Sequence, residues 1–320
     1  MIVVENLVKA YGRHVAVKGV SFEVEKGEIV GFLGPNGAGK TTTMRVLTCF
    51  LPATSGKVQI AGYDVFDDSR QVRRHLGYLP ENVPLYLDLS VDEYLVYMAK
   101  LKGLMGDELT RRLNEVVANC GLEHRRKDLI GRLSRGYRQR VGLAQALIHD
   151  PDVVILDEPT ASLDPAQIRD VRDYIKSLAG NHTIILSTHI LPEVELTCDR
   201  VLMINKGQIV ANDTPQNLRN YAGAGLVVEL DAIGDAGQIK DTVKKIGPVK
   251  GITEVAEPVV EGVQRFSIET SGECRADIAK AVVNAGHSLL RIDVATKSLE
   301  DIFVELTTEE TAGAAGQEAA

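Results

Sequence analysis

The apolar positions of the first two hundred residues alternate between short continuous runs and longer segments with helical spacing. Val153–Leu156 and Thr183–Leu186 are runs of strand length, a pattern typical of strands buried on both faces of a parallel sheet. Pro165–Leu178, which lies between them, has a helical pattern. This strand–helix–strand order predicts an α/β domain built on a parallel sheet.

The segment at about 85–148 has a different pattern. From Ser90 to about Cys120, apolar residues recur at helical spacing, without the β-branched runs that indicate strands. We therefore predict a helical insert at about 85–148, placed between parts of the α/β core. The core and its insert together are expected to occupy residues 1–220.

A second domain is predicted after Tyr221–Gly225, a short run of small residues and glycines. The pattern there gives the order strand, helix, strand, strand, helix, strand and a last helix from Ser298. This order is that of a ferredoxin-like α+β sandwich, which we expect as an accessory domain at 221–307. The tail at 308–320 cannot bury a core and is predicted to be disordered. The first six segments are Leu226–Leu230, Gln238–Ile246, Ile252–Val259, Gln264–Glu269, Arg275–Ala285 and Leu289–Val294.

Composition and charge narrow the possible functions. The net charge of −8 lies in residues 221–320, which hold 9 basic and 17 acidic residues, whereas 1–220 is neutral. Such a chain lacks the basic surface for nucleic acid and the polybasic segment for anionic lipid, so neither partner is expected. We expect no membrane span and no secretory signal. The four cysteines are far apart, which predicts free thiols in a reducing cytoplasm.

A glycine-rich phosphate loop is indicated at Gly34–Thr41, which matches the pattern GxxxxGK(S/T) between the apolar run Ile29–Leu33 and the helical segment Thr42–Cys49. The glycines allow successive backbone N–H groups to face one anion, and the helix N-terminus adds its dipole. Lys40 is expected to reach the β- and γ-phosphates, and the Thr41 hydroxyl to bind Mg²⁺. The predicted nucleotide-binding residues of this segment are Gly34, Pro35, Asn36, Gly37, Ala38, Gly39, Lys40, Thr41 and Thr42.

Two further motifs carry chemistry. Asp157 and Glu158 follow an apolar strand, and burying a strand that ends in two carboxylates is costly unless they bind or react. Asp157 is expected to hold Mg²⁺, and Glu158 to accept a proton from, or to orient, an attacking water. Upstream, in Leu133–Tyr137, Ser134 can cap a helix by accepting from the N–H of Tyr137, which creates a second helix N-terminus for an anion.

In this order the motifs resemble those of the ATP-binding-cassette (ABC) ATPases, which are P-loop NTPases with a helical subdomain. The resemblance covers about Ile2–Leu218. Tyr11 stands where the family has an adenine-stacking aromatic, and Ser162–Asp164 resembles the D-loop that joins subunits. His189 matches the switch histidine that contacts the γ-phosphate.

The resemblance implies an enzyme that hydrolyses ATP to ADP and phosphate with Mg²⁺. Lys40, Glu158 and His189 are then the expected catalytic residues. It also implies a homodimer, or a pair with a related subunit, arranged head to tail. Each ATP would lie between the phosphate loop of one subunit and Ser134 and Gly136 of the other.

Three positions depart from the common family pattern. In the signature LSGGQ, Arg135 replaces the first glycine of the pair and Tyr137 replaces the glutamine, whereas Gly136 remains. At the Q-loop, Glu81 replaces glutamine; a carboxylate can only accept hydrogen bonds and adds negative charge beside Mg²⁺, so we count it among the expected metal-site residues. The ATPases of ABC-2-type exporters have similar sequences at three places in this chain. These are the signature variant LSxGYRQR, the Q-loop variant GYLPE and the segment Ser298–Phe303.

The predicted function is therefore that of an exporter ATPase which drives a separate integral membrane permease. The resemblance implies a cytoplasmic protein held at the inner face of the cell membrane by that permease. The alternative is a soluble ABC protein acting on ribosomes or DNA, but a single cassette with an acidic extension does not favour it. Glu158 argues against a regulatory module without hydrolysis, and Asn205–Gln208 is not the NKxD pattern that selects guanine.

Overall fold

The computed structural model describes residues 1–161, 163–221, 226–255, 262–295 and 303. Two compact units are present, Met1–Pro215 and Gln216–Ala320, and the division falls close to the predicted boundary after residue 220. Several predicted features lie outside the described residues, namely Ser162 of the D-loop, 222–225 of the linker, most of the last helix and the tail at 308–320.

The first unit alternates strands and helices through its described part. Its strands are β1 (Ile2–Tyr11), β2 (His14–Val24), β3 (Ile29–Leu33), β4 (Ser55–Ile60), β5 (Tyr63–Asp64), β6 (Leu76–Leu79), β7 (Val153–Asp157), β8 (Thr183–Thr188), β9 (Arg200–Asn205) and β10 (Gln208–Asp213). Its helices are α1 (Lys40–Leu47), α2 (Ser69–His75), α3 (Val91–Leu101), α4 (Gly106–Asn119), α5 (Arg135–Leu147), α6 (Pro165–Ser177) and α7 (Leu191–Thr197), and α8 (Pro215–Tyr221) begins where the unit ends.

A six-stranded sheet with the order β10-β9-β3-β8-β7-β6 forms the centre of this unit. The five strands from β9 to β6 are parallel, and only β10 runs antiparallel to its neighbour. Every residue of β3, β7 and β8 is buried, as the continuous apolar runs of the sequence predict. The predicted α/β fold class is thus found in the structure, with β7 and β8 each extending beyond the predicted run.

A second, antiparallel sheet has the order β2-β1-β4-β5. Its buried side chains and those of the parallel sheet and α1 form one apolar core, in which the rings of Phe22 and Phe32 lie 5.8 Å apart. This sheet was not predicted from the sequence. It matters for the site because β1 and β2 meet at the turn after Tyr11, beside the phosphate loop.

Helices α3, α4 and α5 occupy the region of the predicted helical insert. Ser90 and Glu93 form a reciprocal capping box that begins α3. An added Cβ at Gly77 of β6 would collide with the carbonyl oxygen of Ala146, so glycine allows α5 to lie directly against the sheet. Among the described helices, we find none with the length and hydropathy needed to cross a membrane.

The parallel sheet brings the predicted functional loops to one edge. The carboxyl ends of neighbouring parallel strands meet at the same edge of a sheet, where ligands of open α/β sheets bind. The phosphate loop follows β3, Asp157 ends β7, and His189 follows β8. Glu81 comes shortly after β6, so four separate segments of the sequence meet at this edge.

The second unit contains its own sheet, with strands β11 (Leu226–Ile233), β12 (Val249–Val255), β13 (Val263–Thr270) and β14 (Ser288–Ala295). Its helices are α9 (Ala236–Val243) and α10 (Arg275–Asn284). The strand order is β12-β13-β11-β14 and all neighbours are antiparallel, which is the arrangement of a ferredoxin-like sandwich. Phe266, Ile268 and Ile278 lie at the centre of its separate apolar core.

Candidate nucleotide-binding and catalytic site

A cleft of about 390 Å³ opens at the carboxyl edge of the parallel sheet. The phosphate-loop segment contributes Asn36, Gly37, Gly39, Lys40, Thr41 and Thr42. Other elements contribute Tyr11, Glu81, Glu158 and His189, all of which the sequence analysis named. Gly34, Pro35 and Ala38 belong to the same loop, but the described lining of the cleft does not include them.

The backbone of the phosphate loop explains its glycines. Gly39 caps α1 with a φ of 111°, a left-handed conformation that side chains rarely adopt. An added Cβ there would also lie 2.8 Å from the carbonyl oxygen of Ala16. Helix α1 therefore begins at Lys40, two positions before the predicted Thr42, so that its N-terminus faces the cleft.

Lys40 is buried at the bottom of this loop. Its Nζ donates hydrogen bonds to the carbonyl oxygens of Gly34 at 2.7 Å and Pro35 at 3.2 Å. Burial lowers the pKa of Lys40, and the carboxylates of Glu158, Asp157 and Glu81 act against that shift. The charges of these carboxylates favour the ammonium form of Lys40, and the loop thus holds a cation that can bind the negative oxygens of a phosphate.

Asp157 is the most deeply buried acid of the site, with 1% of its surface exposed. Neither of its carboxylate oxygens has a hydrogen-bond partner among the described residues. Burial raises its pKa; the nearby hydroxyls of Ser187 and Thr41 oppose that effect, and the charges of Glu158 and Glu81 add to it. A buried carboxylate without partners is costly, and a hard cation such as Mg²⁺ would satisfy its oxygens.

The oxygen ligands at this site are too few to enclose a metal ion by themselves, and they fit Mg²⁺ that is also bound by phosphate and water. Within the described part of the chain, no group of three or more His, Cys, Asp or Glu side chains could hold a metal ion. Mg²⁺ is commonly bound by one or two protein ligands, with substrate phosphates and water completing its shell. Thr41 and Asp157 offer that limited set of oxygen ligands.

Glu158 and His189 form a pair at the cleft. Nδ1 of His189 lies 2.9 Å from Oε1 and 3.0 Å from Oε2 of Glu158. The side chain of Glu158 is buried, whereas that of His189 is 56% exposed. With a proton on Nδ1, His189 donates to the carboxylate and directs Nε2 away from it. The pair can therefore orient a carboxylate base and present a second nitrogen to a ligand.

Behind this pair lie residues that the sequence analysis missed. Glu193 of α7 is buried and accepts hydrogen bonds from the hydroxyls of Thr160 and Thr188. Gln139 of α5 donates to the backbone of Glu158. Only the position of Glu193, an acid four residues after His189 at the start of a helix, could have suggested a role from the sequence.

The signature segment Ser134–Tyr137 begins α5 as the sequence analysis predicts. The Ser134 hydroxyl accepts a hydrogen bond from the backbone N–H of Tyr137 at 3.4 Å. The guanidinium of Arg125 lies 5.1 Å from the ring of Tyr137, so the residue that replaces glutamine is held by a cation–π contact. Gly136 is buried, and an added Cβ would lie 2.6 Å from Oε1 of Gln167.

Two predicted residues lie at the margins of the cleft. Tyr11 is exposed at the end of β1, with Nζ of Lys9 5.3 Å from the centre of its ring. Glu81 is exposed and lines both this cleft and a neighbouring groove of about 820 Å³, which also reaches Thr41 and Asp157. Glu81 therefore lies between the site of the phosphate loop and a second surface of the same unit.

Comparison with known proteins agrees with this geometry. Residues 17–161 match the family described as ABC transporter. Over 310 residues the chain is 32% identical to the linearmycin resistance ATP-binding protein LnrL of Bacillus subtilis (strain 168), a match that covers 96% of this chain and 98% of LnrL. It is 34% identical over 310 residues to the bacitracin transport ATP-binding protein BcrA of Bacillus licheniformis, covering 96% of this chain and 97% of BcrA.

The chain is also similar to a solved structure that contains the products of ATP hydrolysis. The ATP-binding cassette MJ0796, in a dimeric post-hydrolysis state bound to ADP and Pi, is similar to this chain with a TM-score of 0.63 and 26% identity. The match covers 67% of this chain and 98% of MJ0796. The resemblance to ABC ATPases, the P-loop fold and the ATPase activity predicted from the sequence are thereby confirmed. The chain belongs to the ABC transporter family, as an ATP-binding subunit that hydrolyses ATP.

Proposed function

We propose that the chain is the ATPase of an ABC-2-type exporter and drives a separate integral membrane permease. One observation carries this proposal: the phosphate loop, Glu158 and the switch histidine line a single cleft, and Asp157 lines the adjoining groove that shares Thr41 with it. The names of LnrL and BcrA, a resistance and a transport protein, support the exporter assignment. Their similarity covers 96% of this chain and so includes its second unit.

In the proposed mechanism of ATP hydrolysis, five residues have separate roles. Lys40 would bind the β- and γ-phosphates, and Thr41 and Asp157 would hold Mg²⁺, which would supply charge neutralisation on the phosphates. Glu158 orients the attacking water and accepts its proton, because its carboxylate is fixed at the edge of the cleft. His189 would hold that carboxylate through Nδ1–H, and with a proton on Nε2 as well it would donate to an oxygen of the γ-phosphate.

Other parts of the site position the nucleotide. The backbone N–H groups from Gly34 to Thr42 would surround the phosphates at the N-terminus of α1. Tyr11 would stack on the adenine, since it is exposed at the opening of the cleft. Glu81 would lie beside Mg²⁺, where its negative charge acts on both Lys40 and Asp157.

We further propose that a second copy completes the site. Ser134 and Gly136 are absent from the described lining of the cleft in their own chain. The capped N-terminus of α5 nevertheless offers a hydroxyl and backbone N–H groups to an anion. A head-to-tail homodimer would place this N-terminus on the ATP of its partner, so ATP binding would close the dimer and hydrolysis would open it.

In this proposal the permease holds the chain at the membrane and receives the movement that ATP drives. The groove beside Glu81 is the surface that we assign to the permease, because it is continuous with Thr41 and Asp157 of the nucleotide site. Contact there would transmit dimer closure to the membrane. The subunit would then work at the cytoplasmic face of the cell membrane, bound through its partner.

Affinity purification of the tagged chain from detergent-solubilised membranes tests this proposal. We expect an integral membrane protein to co-purify in constant ratio, and ATP-dependent transport in membrane vesicles that contain both chains. The Lys40→Ala variant is the control, since it should retain the partner but not the transport. Co-purification of ribosomes or DNA without a membrane protein would instead favour the alternative, a soluble ABC ATPase of a process other than transport.

A further inference from the structure

One buried carboxylate beside the catalytic pair has no part in the chemistry proposed above. Glu193 lies in the first turn of α7 and has 7% of its surface exposed. Its Oε2 accepts hydrogen bonds from the hydroxyls of Thr160 at 2.8 Å and Thr188 at 3.3 Å. Its Oε1 has no partner among the described residues. A carboxylate is rarely buried in this way unless its contacts have a role.

The two hydroxyls belong to the two loops that carry the catalytic pair. Thr160 follows Glu158 by two positions, after β7, and Thr188 directly precedes His189 at the end of β8. The Thr188 hydroxyl also accepts a hydrogen bond from the backbone N–H of Ile190 at 3.1 Å, which fixes the backbone on the other side of His189. One carboxylate oxygen thus joins both loops.

The His189–Glu158 contact needs such support. The side chain of His189 is 56% exposed, so packing alone does not hold its ring beside Glu158. Glu193 is absent from the described lining of the cleft, and it therefore acts through other residues and not on the nucleotide. Burial raises the pKa of Glu193, whereas its hydrogen bonds from Thr160 and Thr188 act in the opposite direction and favour the carboxylate form.

We propose that Glu193 is a positioning residue, whose carboxylate connects the loop after β7 to the loop after β8 and so sets the geometry of the His189–Glu158 pair. The proposal rests on the assignment of Glu158 and His189 to hydrolysis. A displacement of reacting groups by about 1 Å can reduce a rate on the order of a hundredfold. Loss of the connection should therefore act on turnover and not on nucleotide affinity.

Two variants remove the connection from opposite sides. Glu193→Ala removes the acceptor, and Thr160→Val removes one donor while keeping the shape of the side chain. We expect each to lower kcat by about tenfold or more, with nucleotide affinity within about twofold of wild type. Thr160→Ser, which restores the hydroxyl, should restore turnover. Thr197→Val is the matched control, because this buried hydroxyl of α7 has no partner among the described residues.

A double variant separates positioning from simple stability. If Glu193 acts through His189, adding Glu193→Ala to His189→Ala should lower kcat little further, because effects of residues that act as a unit are not additive. Fully additive losses, or wild-type kcat in Thr160→Val, would overturn the proposal even if Glu193→Ala fails to fold. The assignment of the catalytic pair is tested separately: normal turnover in Glu158→Gln would refute it, whatever the Glu193 variants show.

Discussion

The side-chain amide of Gln139 donates a hydrogen bond to the backbone carbonyl of Glu158 over 3.3 Å, and both residues are buried. The backbone N–H of Glu158 in turn donates to the carbonyl of Ser187 at 2.9 Å. Glu158 has a φ of 52°, a left-handed conformation that is uncommon for a residue with a side chain. Such strain persists where the surroundings fix it, so α5 and β8 together determine where this carboxylate lies.

Gln139→Leu should therefore affect both stability and turnover. The variant leaves the Glu158 carbonyl buried without this donor, which costs about 1–3 kcal/mol. We expect a lower Tm and a lower kcat, because relaxation of the backbone would move the carboxylate. Thermal unfolding and steady-state ATPase assays measure the two effects. The exposed residue Gln208 gives the control variant Gln208→Ala, and a Gln139→Leu protein that matches it in both assays would contradict this role.

The parts of the site that the sequence predicts are those encoded by local patterns. The phosphate loop, the acids after β7 and His189 after β8 each occur in a short motif beside an apolar strand. Parallel pairing of β3, β7 and β8 then places the three motifs at one edge of the sheet, and no long-range contact has to be predicted for this. The fold class follows from the same alternation of strands and helices.

The parts that the sequence did not predict depend on contacts between distant residues. Gln139 and Glu158, and Thr160 and Glu193, meet only because α5 and α7 pack where they do. Helices α2 and α7 have seven residues each, which is too short for a helical period to be evident. The antiparallel sheet was missed because its strands mix exposed and buried positions irregularly around shifts of register.

Lys40→Ala should abolish hydrolysis and weaken nucleotide binding. Lys40 is buried among carboxylates and carries the positive charge for the phosphates, and truncating one partner of a desolvated charge pair costs roughly 2–5 kcal/mol. ATP turnover and nucleotide affinity are the measurements. The exposed Lys26 supplies the control Lys26→Ala, which should match wild type in both. Wild-type values for Lys40→Ala would mean that the loop does not bind the nucleotide.

Glu158→Gln should retain ATP binding but turn over far more slowly, because the amide cannot accept a proton. ATP that is bound but not hydrolysed should then hold two subunits together. Gel filtration with and without ATP detects this dimer, and Glu108→Gln on the exposed face of α4 is the matched control. A Glu158→Gln protein that stays monomeric with ATP and hydrolyses it normally would refute the role given to Glu158.

Glu81→Gln tests the residue that replaces the family's glutamine. Glu81 lines both the cleft and the groove that we assign to the permease. We expect a modest change in the ATPase activity of the isolated subunit and a larger change in transport by the complex. The exposed Asp88 gives the control Asp88→Asn, which also removes one negative charge. Equal effects of Glu81→Gln in the two assays would mean that Glu81 serves the chemistry only.

Removal of the second unit, in a chain cut after Asn220, should leave a folded ATPase. The first unit has its own apolar core and contains every residue of the cleft, whereas the second has a separate core around Phe266. The excess negative charge of the chain also lies beyond residue 220. Basal turnover should therefore persist, while dimer lifetime, regulation or assembly with the permease should suffer.

Comparison of the cut and full-length chains in three assays decides between a modular and an integral second unit. ATP turnover measures whether the cleft is intact, and ATP-dependent dimerisation measures the pairing of subunits. Co-purification measures binding of the membrane partner. Circular dichroism first establishes that the cut chain is folded. An accessory domain can bias association without contacting the γ-phosphate, so losses confined to the second and third assays support the modular arrangement. Loss of basal turnover in a folded cut chain would mean that the second unit completes the ATP site or holds its dimer in register.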